Sequence, residues 1–137
     1  MREEKHRDII AEVDSTIREA LQSKNLLAHQ RRLAAMLSLG AQQLLEVYLH
    51  RLHVIKPGTA VKHEWFGMGV ENPSRKLAAM LTRPPGEVPG LAELLVLARV
   101  VEEGRNDLLY GSPLSDDEAL RKKIDAYMHM RRQVGGP

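Results

Sequence analysis

Apolar residues recur along the chain at spacings of three and four, the signature of amphipathic helices. Ile9, Ile10, Val13, Ile17 and Leu21 predict a first helix over 3–22, with Glu3 and Glu4 in its first turn, where they complement the helix dipole. Ser23-Lys24-Asn25 reads as a turn. The second helix, predicted over 26–54, carries Leu33, Leu37, Ala41, Leu44, Leu45, Tyr48 and Leu52 on one stripe, which Ala35, Met36, Leu39 and Val47 widen. A helix apolar on several sides belongs in the centre of a bundle or against a partner chain. Gly40 in its middle costs up to about 1 kcal/mol against Ala, and marks a close helix crossing.

The pattern lapses between Ile55 and Asn72, a long loop that contains Trp65 and Phe66, the only residues of their kinds. Connections of more than about 12 to 15 residues are uncommon in compact domains. Trp65, Phe66 and Met68 either cover an open end of the bundle or receive a partner. Asn72-Pro73 then opens a short helix over 73–81, with Leu77 and Met80 or Leu81 inward, and the Pro- and Gly-rich 83–90 stretch stops it. Leu91, Leu94, Ala98 and Val101 start a fourth helix over 91–109. Gly111-Ser112-Pro113 interrupts again, and Ser115 with Glu118 is a capping-box pair for a last helix over 116–132. The expectation is one all-α domain over 1–137: an up-and-down bundle of about five helices with a long loop after the second.

Composition narrows the classes. A chain of 137 residues can bury a core without staples, and with no cysteine it has neither disulfides nor thiolate metal sites. No apolar run reaches the roughly 20 residues of a membrane span, and the opening residues are charged, so the expected location is cytoplasmic. A net charge of +2 and five aromatic residues argue against a general RNA-binding surface. His50 and His53, one turn apart, have no identifiable third ligand, and their position near a helix C-terminus satisfies its dipole. His63-Glu64 lacks the second His of a zinc-protease helix, His29-Gln30-Arg31-Arg32 reads as a solvated face, and no glycine pattern makes a nucleotide loop. Neither a metal nor a cofactor is expected.

The candidate chemistry lies in Gly104-Arg105-Asn106-Asp107-Leu108-Leu109-Tyr110-Gly111. In an unbroken fourth helix, Arg105 falls on the stripe of Leu91, Leu94, Ala98 and Val101. A guanidinium cannot shed its charge, so there it needs an acceptor or must lift its head into water. Asn106 and Tyr110 lie one turn apart beside it.

Arg105-Asn106 near the end of the penultimate long helix of a small all-helical chain resembles the HEPN family (higher eukaryotes and prokaryotes nucleotide-binding). The motif of that family is an Arg, often followed by Asn, then a His a few residues on; here Tyr110 stands in the place of the His. The stretch from Ser38 to Leu49 is similar to the second helix of the family. The resemblance implies a homodimer in which two motif arginines line one cleft, a toxin or ribonuclease-like activity, and a nucleotidyltransferase-type antitoxin partner. It assigns Arg105, Asn106 and Tyr110 to the site. In such a ribonuclease a cation stabilises the phosphate while a His moves protons. A phenol near pKa 10 is a weak base at neutral pH but a competent hydrogen-bond donor. The implied site binds RNA or a nucleotide phosphate and cuts slowly or not at all. The alternative is a non-catalytic nucleotide-binding or protein-assembly module.

Overall fold

The structure, a computed structural model, describes residues 3–56, 59–62, 72–111 and 114–135. Its helices are α1 (Glu3–Gln22), α2 (Gln30–Arg51), α3 (Asn72–Ala78), α4 (Leu91–Glu102), α5 (Arg105–Tyr110) and α6 (Glu118–Val134). Among the described residues the only β pairing is an isolated bridge between Ile55 and Leu81, so the chain is an all-α bundle. Residues 63–71, with Trp65, Phe66 and Met68, lie outside the described residues.

α2 is the hub and packs against α1, α4, α5 and α6. It buries residues on most of its circumference, from Leu33 and Leu37 to Leu44, Leu45 and Leu49, as its broad stripe predicts. Gly40 sits where α1, α2 and α6 meet: a Cβ there would lie 2.5 Å from Tyr127 Cε1 and 2.9 Å from Val13 Cγ1. The crossing therefore depends on the missing side chain.

α1 ends at the Ser23 turn, where Ser23 donates to Ala20 O through both its N–H and its hydroxyl. Its buried stripe is His6, Ile10, Val13, Ile17 and Ala20, while Leu21 is exposed. The stripe is rotated from the expected one, and a histidine heads it.

α2 is shorter than predicted at both ends. Leu26–His29 form a 3-10 turn ahead of it. At its other end Val54 N–H bonds Leu49 O and His53 N–H bonds His50 O, a Schellman closure. His53 takes the left-handed position, φ 56°, that glycine usually fills. α3 likewise stops at Ala78, after which Met80 and Leu81 N–H both bond Leu77 O and Leu77 is fully buried.

The predicted helix over 91–109 is two helices. α4 ends at Glu102, Glu103 turns extended at ψ 126°, and Gly104 adopts φ 69° before α5 restarts. The break is stabilised from α6: buried Lys123 Nζ donates to Val100 O at 3.1 Å, to Val101 O at 3.4 Å and to Glu103 O. These carbonyls face the end of α4, where a helix leaves acceptors unmet and favours a cation. Arg105 consequently begins a new helix and does not extend the α4 stripe. The last helix starts two residues later than predicted: Asp117, not Ser115, occupies the cap position, and Asp116 Oδ1 accepts Glu118 N–H at 3.0 Å.

Candidate functional site

α5 is anchored by Leu108, 4% exposed, against α2. Asn106 and Asp107 are exposed, Tyr110 is 82% exposed, and Leu109 is half-buried. Arg105 is half-buried; one guanidinium nitrogen donates to Asn106 Oδ1 at 2.9 Å, while its buried Nε has no partner among the described residues. The structure thus brings Arg105 and Asn106 into contact. Tyr110 follows Arg105 by five positions, so the two leave the helix about 140° apart, and within one chain they do not converge. Asn106 and Tyr110 share a side.

Behind Arg105, Glu102 on α4 is buried, and burial pushes its carboxyl above the usual carboxylate range, against the pull of Ser38, Gln42, Arg105 and Lys123. Ser38 donates to Glu102 Oε1 at 2.7 Å, and Gln42 donates to Ser38 Oγ at 3.1 Å. Burial lowers the Lys123 ammonium from its ordinary value, opposed by Glu103 and Glu102. A cleft of about 520 Å³ opens beside the helix break, bordered by Val100, Glu103, Gly104, Asp107, Leu114 and Lys122.

A second polar cluster lies between the start of α1 and the end of α2. His6, 1% exposed, hydrogen-bonds through Nδ1 to Gln43 Oε1 and stands 3.6 Å from Glu46 Oε2. Since the amide oxygen accepts, Nδ1 carries the proton in the neutral ring and Nε2 is left as a lone pair. Burial raises the Glu46 carboxyl, partly offset by Val61 N–H, which donates to Glu46 Oε1 at 2.7 Å, and by His6. The His50 ring centroid is 6.1 Å from that of His6. Burial, then His6, lowers its pKa and favours the neutral imidazole. Nε2 of His6 and of His50 are both buried without a partner among the described residues. Glu3, His6, Val47, His50, Arg51 and His53 line a cavity of about 380 Å³, at whose edge Arg51 Nε bonds Glu3 Oε1 at 2.6 Å.

His50 and His53 do share this cavity, but the residue that joins them is His6, 44 positions before His50. Among the described residues no three His, Asp or Glu side chains converge as a preformed metal cage. His6, Glu46, Glu102 and Lys123 were hidden from sequence reasoning by their charge. Each nevertheless falls in register with buried apolar neighbours: His6 four before Ile10, Glu46 three before Leu49, Glu102 four after Ala98, Lys123 three after Leu120.

Among the described residues no helix is long and apolar enough to cross a membrane. The chain matches no protein-family model, no curated protein and no solved structure.

Proposed function

We propose that the chain is a HEPN-like helical protein that pairs with a second copy and holds a phosphate of RNA or of a nucleotide. Arg105, Asn106 and Tyr110 carry the site. The supporting observation is the half-buried guanidinium of Arg105, whose Nε lacks a partner among the described residues, beside exposed Asn106 and Tyr110. A planar cation with spare donors suits a phosphate, which accepts paired N–H groups. Asn106 steadies the guanidinium, and the exposed phenol of Tyr110 can donate to a second phosphate oxygen. Because Arg105 and Tyr110 diverge within one chain, a second copy is needed to bring a tyrosine opposite an arginine. No histidine accompanies the arginine on α5, so proton transfer is poorly served and cleavage is weak or absent. In this reading the protein is a toxin-like component, and its antitoxin is of the nucleotidyltransferase type.

The test compares wild type, Arg105→Ala and Tyr110→His for binding and cutting of single-stranded RNA, with light scattering to give the oligomeric state. Wild type should be a dimer that binds RNA, Arg105→Ala should bind at least tenfold more weakly, and Tyr110→His should cut faster. A monomer, or RNA cutting that survives Arg105→Ala, would overturn the reading.

A further inference from the structure

We propose that the cavity between the start of α1 and the end of α2 binds a first-row divalent transition metal through Nε2 of His6 and Nε2 of His50. This inference does not rest on the Arg105 reading.

Three features of the cluster point to an ion. The first is the unpartnered state of two buried imidazole nitrogens that border one cavity. Buried polar atoms are nearly always paired, so two in one place ask for a shared partner. The second is the arrangement behind His6. Gln43 Oε1 accepts from Nδ1 and the Glu46 carboxylate stands 3.6 Å away, which fixes the ring and leaves Nε2 as the free lone pair. A histidine ligand is commonly held this way, with its outer nitrogen tied to a carboxylate or carbonyl oxygen. The third is spacing. With metal–nitrogen bonds near 2.1 Å, two imidazoles sharing one ion have centroids at most about 6.4 Å apart. The observed 6.1 Å lies inside that limit, and an approach of about 1 Å by the partly buried His50 ring closes the angle toward tetrahedral.

The donor chemistry selects the ion. Imidazole nitrogens suit Zn²⁺, Co²⁺, Ni²⁺ and Cu²⁺, whereas Mg²⁺ and Ca²⁺ want an oxygen cage. Glu3 and His53 line the same cavity, but Glu3 is engaged by Arg51. As no third donor has converged, the ion fills its remaining positions with water. An open, exchangeable site follows, not a structural cage.

The experiment titrates Zn²⁺, Co²⁺ and Mg²⁺ into the full chain carrying no polyhistidine tag. Calorimetry gives stoichiometry, and Co²⁺ visible absorption reports nitrogen ligation. The variants are His6→Gln, His50→Gln and, as a surface control, His129→Gln, with circular dichroism on each. One Zn²⁺ or Co²⁺ per chain is expected, at least tenfold weaker in His6→Gln and His50→Gln, unchanged in His129→Gln, and with no Mg²⁺ counterpart. Should His6→Gln fail to fold, His50→Gln, at the less buried of the two positions, decides alone. Absence of Zn²⁺ and Co²⁺ binding by wild type, equal affinity in a folded His50→Gln, or an equal loss in His129→Gln would overturn the proposal.

Discussion

Two polar clusters are buried against α2, and they differ in how far they satisfy themselves. In the one that includes Ser38, the hydroxyl answers the Glu102 carboxylate, Gln42 answers the hydroxyl, and Lys123 spends its ammonium on three carbonyls of the α4 end. In the one that includes Gln43 and Glu46, two imidazole nitrogens remain without partners among the described residues. Desolvating a polar group is costly unless a hydrogen bond compensates. The first cluster therefore explains itself as architecture: it closes α4 and sets the point from which α5 starts. The second does not balance internally, and an external ligand supplies the missing term.

This contrast can be broken most forcefully at Lys123. Lys123→Met keeps most of the stem and removes the donor from three carbonyls, and should destabilise the fold by about 3 kcal/mol in urea unfolding. A cost under about 1 kcal/mol would mean that the cluster does not hold the helix break.

Glu102 offers the next test, through pH. Its carboxyl is raised by burial, so the native chain keeps a proton that the unfolded chain has released. Stability from that proton is complete below the ordinary carboxylate range and is lost as pH rises through the raised native value. Glu102→Gln cannot lose it. The stability of wild type relative to Glu102→Gln should therefore fall as pH rises above the ordinary carboxylate range, measured as urea midpoints at a series of pH values. Parallel curves would show that burial does not disfavour the charged form.

On the other side of the comparison, His50→Leu should leave stability within about 1 kcal/mol of wild type, because it removes a nitrogen that bonds nothing in the described structure. The same variant should lose the metal, which calorimetry reports. A loss above about 2 kcal/mol without metal would place His50 among the architectural residues.

The smallest stability effect is expected at Arg105. Arg105→Ala should change thermal unfolding by no more than about 0.5 kcal/mol, since among the described residues the side chain bonds only its neighbour Asn106. RNA binding should fall all the same. A large stability loss would make the guanidinium a packing element.

The helices were legible because burial against α2 imposes the three-and-four spacing that the eye can count. What escaped were features in which a local rule yields to a distant partner. Leu108 lies seven after Val101 and so continues the apparent stripe of α4, yet the chain breaks at Gly104 because Lys123, from α6, meets the freed carbonyls. Ser115 and Glu118 make a capping pair on paper, but the helix starts behind Asp117. At the Arg105 stretch, the residues alone gave a cation in need of an acceptor or of water, and the phosphate site was only what the HEPN resemblance implied. Whether the guanidinium had an acceptor depended on how α4 ended, which local sequence does not encode. The His6 cluster was missed because His6 and His50 are brought together only by the α1–α2 pairing, and within a charged N-terminal run the one local hint of His6 burial is its place four before Ile10.

Gly40 has a consequence beyond its own helix. With Tyr127 Cε1 and Val13 Cγ1 occupying the space of its absent side chain, the residues at 40 and 127 act as a key and its slot. α6 cannot slide along α2 by a turn without bringing the ring against a full side chain, so one atom's worth of emptiness fixes the register of three helices at once. A designer who enlarges position 40 would have to shrink position 127 in the same step. Sequences that diverge from this one should trade volume between those two places while the rest of the interface drifts.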